Sequence, residues 1–509
     1  MRRLAVALAA LVVGAACSSK PKPTLPPSFL FGASIAGFQV DMGCPTLPAA
    51  ECEDPNSDWY DFVSRRGEMS DIAQYLSTDL PDAGPGHWEL FEHDYDLAKN
   101  ELGLGAIRLS IEWSRVFPTA TDAANDDASL AALADPKAVA KYHAIFAALK
   151  ARGLKPLVTL NHYTLPLWIH DGVGCHNDFA NCTRRGWLDH DRILKEIAKY
   201  AGYCAREFGG EVDLWVTENE PFAVVLPGYL LPSADRVNPP GVQFQFAAAK
   251  QVMTTMEEAH ARMYDAIKAG DTKDLDGDGV NALVGLVYPL TPAVPKDPNK
   301  PVDVTAAQHI FYLYNDAFMD AVCKGDVDAN LDGTKVHRDD LANRMDYVGI
   351  NYYTRITVEG SDQSNLPDLS PLANFDPLTL NLWEDYPRGL YEMALHVKDR
   401  WGLPCIITET GANDTLDDGS GSSWLARYVT WAERAVRDGV DLRGFFYWTL
   451  MDNYEWNHGM GPFKMGLYGI DKADPMKTRV PKKSVATYRS ITQERLVPEE
   501  LKRLYPQPE

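Results

Sequence analysis

Eight short runs rich in apolar and β-branched residues recur along this chain, at 29–36, 106–113, 155–162, 214–221, 282–290, 347–353, 404–410 and 442–450. Each ends in polar residues. Helix-period segments lie between several of them, at 88–101, 137–152, 190–207, 247–269, 305–323, 386–400 and 423–438. Strands alternating with helices in this way point to a parallel sheet closed on itself. The expected fold class is therefore α/β, a single (β/α)8 TIM barrel with long βα loops. The 509 residues exceed the usual domain size, but barrels routinely run long as one domain. The barrel is expected over 28–495, with a tail at 496–509.

In such a barrel the functional site lies at the C-terminal ends of the strands. The polar residues there include Arg108, Glu112, Asn161, His162, Asn219, Glu220, Asn351, Tyr353, Glu409 and Trp448. Two strings stand out: VTENEP at 216–221 and ITETG at 407–411. Each sets a glutamate, Glu220 or Glu409, at the end of a run that should be buried. Most of the 71 acidic residues are solvated surface charges, but that explanation is poor for a charge that interrupts a buried run. Two such carboxylates are the minimum equipment for glycoside hydrolysis, one as acid/base and one as nucleophile.

A net charge of −22 and a pI of about 5.0 argue against nucleic acid and against an anionic membrane surface as partners. The N-terminus reads as a targeting segment: MRR is basic and LAVALAALVVGAA is an apolar stretch too short to span a membrane. Small residues precede Cys17, and SSKPKPTLPP follows it. We expect a signal peptide over 1–16, lipid acylation at Cys17 and a tether over 17–27, which would make a bacterial lipoprotein facing the periplasm or cell surface. Gly14-Ala15-Ala16 would also suit an ordinary signal peptidase. The remaining cysteines would then face an oxidising compartment. The pairs Cys44/Cys52 and Cys175/Cys182 have spacings that permit local disulfides, whereas Cys204, Cys323 and Cys405 sit in apolar contexts.

Seven motifs occur in one order: FLFGASIAGFQVDMG (29–43), AIRLSIEWSRVFP (106–118), LVTLNHYTLPLW (157–168), VTENEP, YVGINYYT (347–354), ITETG and FFYWTLMDNYEW (445–456). The chain thereby resembles glycoside hydrolase family 1 β-glycosidases from residue 29 to about 490, most closely the branch known from archaea. The resemblance implies a retaining, exo-acting enzyme for β-glucosides, with β-galactosides or β-fucosides as further substrates and no cofactor for catalysis. It implies Glu220 as acid/base and Glu409 as nucleophile, with Asn219 on the sugar 2-hydroxyl. Arg108 and Tyr353 would support the nucleophile. Gln39, His162, Glu455 and Trp456 would grip hydroxyls, and Trp448 would lie under the ring. A carboxylate at Glu455 would repel a phosphorylated sugar.

Four positions depart from the family's pattern: Asp41, Tyr163, Glu218 and Thr410. Glu218 could act on Glu220 or turn inward to the barrel floor. Two loops, DLDGDGVN (274–281) and DANLDGTKVHRD (328–339), have spacings of calcium loops. The second offers Asp328, Asn330, Asp332 and Asp339, so a structural calcium on the bottom face of the barrel is an expectation, set against Asp-Gly turns without metal. Two other functions share the same residues: a transglycosidase, and a sugar-binding surface lipoprotein without catalysis.

Overall fold

Eight parallel strands close into a barrel: β1 (Leu30–Ser34), β2 (Ala106–Ser110), β3 (Lys155–Asn161), β4 (Leu214–Asn219), β5 (Leu283–Tyr288), β6 (Tyr347–Asn351), β7 (Cys405–Glu409) and β8 (Leu442–Trp448). Neighbours in sequence are neighbours in space, and β8 pairs with β1 to complete the ring. The computed structural model describes residues 24–362, 367–375, 380 and 384–508. Cys17 and the targeting segment lie outside them. No helix among the described residues is long and apolar enough to cross a membrane.

The helices that follow the strands are α1 (His87–Asp96), α2 (Pro136–Ala151), α3 (His190–Phe208), α4 (Phe246–Gly270), α5 (Ala317–Lys324), α6 (Arg388–Trp401), α7 (Ser420–Arg437) and α8 (Lys483–Glu494). The helix expected over 305–323 runs from Pro301–Phe311 through a wider helical turn at Tyr312–Asp316 into α5 without a break. The sequence pattern did not reveal α8, which is short and rich in Ser and Thr. Its Tyr488 hydroxyl donates to the carbonyls of Gly32 and Phe445, tying α8 to the seam between β1 and β8.

The strands read as continuous apolar runs because both faces are covered, by helices outside and by each other's side chains inside. Ala106, Leu157, Val216, Val287, Tyr347, Ile406 and Phe446 form the apolar layer inside the barrel. Gly32 makes room for Phe446, whose ring would lie 2.4 Å from any Cβ there. Two residues above Ala106 on the same strand face comes Arg108, fully buried. The interior thus changes from an apolar floor to a polar ceiling within one pleat, and that ceiling is the candidate site.

Packing extends beyond the expected bounds of 28–495. Leu25 is buried and its N–H donates to the Arg495 carbonyl, while Val497 is buried beside Glu433 and a helix follows at Glu499–Leu504. Apolar side chains at both ends cover surface that would otherwise be wet. Disulfides join Cys44 to Cys52 and Cys175 to Cys182, with Cα atoms 6.0 and 4.9 Å apart. Cys204, Cys323 and Cys405 are free.

The second calcium-like loop needs correction. Residues 326–337 form a small hairpin, Asp326–Val327 against Val336–His337. Asp328 is buried and spends its oxygens on the N–H groups of Asp332 and Gly333 and on the Tyr312 hydroxyl. Asn330 is exposed, Asp332 accepts from the Thr334 N–H, and Asp339 reaches out to His337. The carboxylates of Asp328, Asp332 and Asp339 do not gather within 4.8 Å of one another, because each is spent inside the loop. In the first loop the carboxylates of Asp274, Asp276 and Asp278 do approach within 4.8 Å of one another, all exposed. Asp274 there accepts from the N–H groups of Gly277 and Gly279, as an Asp-Gly turn does without metal.

Candidate active site

Glu409 ends β7 and is buried. Its Oε1 takes a hydrogen bond from Nη1 of Arg108 on β2, and its Oε2 accepts from the Tyr353 hydroxyl at 3.0 Å. Arg108 also donates from Nη2 to Asn219 Oδ1 at 2.7 Å and from Nε to Thr159 at 3.1 Å. Arginine only donates, so the Asn219 oxygen must face it and the amide nitrogen must face His162, 3.2 Å from Nε2. Burial, with the charges of Arg108 and Arg236, holds His162 well below its ordinary range, so the ring is neutral. A neutral ring that accepts at Nε2 carries its proton on Nδ1, and that buried atom has no protein partner.

Glu220 follows β4 and has a left-handed backbone, φ 49°. Tyr163 and Trp456 share that uncommon conformation, with φ 72° and 40°. Three non-glycine residues in a sparsely populated region, gathered at one end of the barrel, mark a site where position outranks local comfort. Glu220 Oε1 accepts from Asn351 Nδ2 at 2.6 Å, and Oε2 accepts from the Tyr163 hydroxyl. Burial pushes Glu409 up to about 7, the facing charge of Glu220 adds to this, and Arg108 and Tyr353 pull the other way.

Around them stand the other expected residues. Gln39 Nε2 donates to Glu455 Oε2 at 3.0 Å, and its Oε1 is buried without a partner. Asn453 also donates to Glu455 Oε2, at 2.8 Å. His162 stacks on Trp448 at 6.0 Å and on Trp456 at 5.9 Å between ring centroids. The structure thus brings together Glu220, Glu409, Arg108, Asn219, Tyr353, His162, Gln39, Glu455, Trp448 and Trp456. Arg236, from the loop after β4, was missed: its Nη1 lies 3.7 Å from Glu455 Oε1. No local pattern marks a loop arginine as part of a site.

The departures sort by direction. Thr410 accepts from the Trp424 indole, away from the two glutamates. Asp41 pairs with Arg115 at 3.8 Å. Glu218 takes neither expected course. The β4–β5 register shifts between Val216 and Asn219, and Glu218 is wholly buried with neither oxygen bonded, where Glu257 of α4 is the charge it feels.

A closed parallel barrel with two strand-end glutamates and buried polar groups around them defines a class, the barrel glycosidases. The glycosyl hydrolase family 1 model matches residues 21–496, and the chain belongs to that family. It is an O-glycosyl hydrolase, of a family that needs no cofactor for catalysis. The β-galactosidase of Pyrococcus woesei is 34% identical over 508 residues, covering 92% of this chain and 96% of its own. Among solved structures, Fpglu1 from Fervidobacterium pennivoraus superposes with a TM-score of 0.80 at 30% identity, over 95% of this chain and 98% of that one. The β-glycosidase of Thermosphaera aggregans gives 0.80 and 30%, over 95% and 99%.

Proposed function

We propose that the protein is a retaining, exo-acting β-glycosidase that hydrolyses β-glucosides, and β-galactosides or β-fucosides as well, through a covalent glycosyl-enzyme. The observation that carries the assignment is an asymmetry. Glu409 is held by a cation, Arg108, whereas Glu220 is held by neutral donors, Asn351 and Tyr163. The guanidinium favours negative charge on Glu409, the form a nucleophile needs, while the neutral donors on Glu220 suit a group that must deliver a proton.

Glu409 attacks the anomeric carbon as Glu220 delivers its proton to the departing glycosidic oxygen. Asn219, fixed by Arg108, lies beside the nucleophile where a 2-hydroxyl would strengthen its hydrogen bond as charge develops. Glu220, now ionised, takes a proton from water as that water attacks the ester, and the sugar leaves with its configuration retained. Gln39 Oε1 and His162 Nδ1, buried and without protein partners, suit sugar hydroxyls as their missing partners.

Release of nitrophenol from aryl β-glucoside and β-galactoside, with Glu409→Gln and Glu220→Gln alongside, tests this. Turnover by the parent and its loss in Glu409→Gln are expected. A folded parent inert on every aryl β-glycoside would overturn the proposal.

We propose export as well, with lipid attachment at Cys17. The apolar N-terminal segment and two disulfides suit an oxidising compartment. Radiolabelled palmitate should enter the parent and not Cys17→Ser, and equal labelling would refute acylation at that residue.

A further inference from the structure

Residue 163 follows β3 next to His162, with a left-handed backbone, φ 72°. That conformation carries its ring into the site, edge-on to Trp456 at 4.8 Å and to His162 at 5.1 Å. Its hydroxyl donates to Glu220 Oε2. Over the same ring lies the Arg236 guanidinium, with Cζ 5.2 Å from the centroid and 5.1 Å from that of Trp456. Arg236 is held in place: its Nε donates to Asn238 Oδ1 at 2.9 Å. The carbonyls before it, of Ala234 and Asp235, meet Asn457 Nδ2 at 3.2 Å and His458 Nε2 at 2.9 Å.

We propose that Tyr163 is a positioning residue for Glu220, and that Arg236, acting through the Tyr163 ring, sets how strongly the phenol holds that carboxyl. This inference rests on Glu220 being the acid/base.

A cation over an aromatic face draws electron density from the ring. The phenol becomes a better donor, and a donor on a carboxylate favours its ionised form. Each carboxyl oxygen keeps a second lone pair, so Asn351 and Tyr163 orient Glu220 without displacing the proton it must deliver.

The other groups facing Glu220 do not supply this effect. Tyr353 beyond β6, Tyr288 on β5 and Tyr314 in the turn before α5 are pushed up by burial and stay neutral over a working range of pH. His162 is neutral as well. Glu409 is the facing anion, and Arg108 spends its donors on Glu409, Asn219 and Thr159. Arg236 is thus the cation whose influence passes through a ligand of Glu220.

The test is the pH profile of kcat/KM on an aryl β-glucoside with a poor leaving group, for the parent, Tyr163→Phe, Arg236→Gln and Arg236→Lys. Losing the phenol removes a donor that favours the ionised acid/base. The alkaline limb should move to higher pH by on the order of one unit in Tyr163→Phe. It should move the same way by less in Arg236→Gln, and partly return in Arg236→Lys. Hydrolysis of the poorly leaving aglycone should fall by on the order of tenfold in Tyr163→Phe, while a dinitrophenyl glucoside, whose departure needs no proton, falls less. Limbs coincident with the parent's in both Tyr163→Phe and Arg236→Gln, or an equal loss for both leaving groups, would overturn the inference. If Tyr163→Phe does not fold, the limb of Arg236→Gln decides alone. A parent without turnover would sink the proposed function. A parent that turns over with unmoved limbs in its variants would sink only this inference.

Discussion

Arg108 spends one guanidinium on three tasks: it charges the surroundings of Glu409, orients Asn219, and anchors itself on Thr159. No other side chain can do all three, since lysine lacks the planar fork. Removing the charge leaves Glu409 with burial and the facing Glu220, both of which raise it. In the proposed mechanism Glu409 must be ionised to attack, so Arg108→Gln should move the acid limb of the pH profile to higher pH, by about one to two units. Glu409→Gln should cost on the order of 10³-fold or more in kcat, about 4 kcal/mol of transition-state stabilisation, read by steady-state release of nitrophenol. The two glutamates were legible in the sequence because a charge ending a buried run is rare and conspicuous. Arg236 was not, because a loop has no periodicity from which its direction can be read. The substitution at Tyr163 was visible, but its bond to Glu220 was not.

Among the elements, β4 and α4 enclose an acid pair. Glu218 and Glu257 are both held well above the usual 4.5, first by burial and then by neighbouring carboxylates, Glu257 for the one and Asp328 for the other. The folded state therefore keeps protons that the unfolded chain has released, and stability falls as pH climbs from about 4.5 toward the folded values. Glu218→Gln should accordingly raise stability at pH 8 by at least about 1 kcal/mol, with the gain vanishing near pH 4. Thermal melts at the two pH values check it, and a gain equal at both would contradict the buried acid. Seven of the eight helices following the strands were readable from their period. The exception, α8, was hidden by its Ser and Thr content. The buried polar face of α4, with Glu257, Glu258 and His260, shows how far tertiary packing overrides a simple apolar stripe.

Across the whole molecule the long βα loops stand over the strand ends that carry the site and must be held. The first begins with the turn that bears Gln39, and within it Cys44–Cys52 ties residues 8 apart in sequence. Cross-linking a loop this short restrains the unfolded chain by about 2–3 kcal/mol. Cys44→Ser/Cys52→Ser should lower the melting temperature and raise KM more than it lowers kcat, since Gln39 reaches Glu455 and not the reacting pair. Differential scanning calorimetry and steady-state kinetics on one preparation check both halves.

The linear pattern of residues was enough to dictate the barrel and to mark its two glutamates. Strands buried on both faces require continuous apolar residues, and a carboxylate at the end of such a run has few reasons to be there. Where Glu218 turns, that Asp328 closes its own hairpin, and that Tyr163 meets Glu220 beneath Arg236 became visible once the chain was folded. The reason is physical: a register shift of one residue redirects a side chain, and contacts between distant loops depend on how the barrel closes.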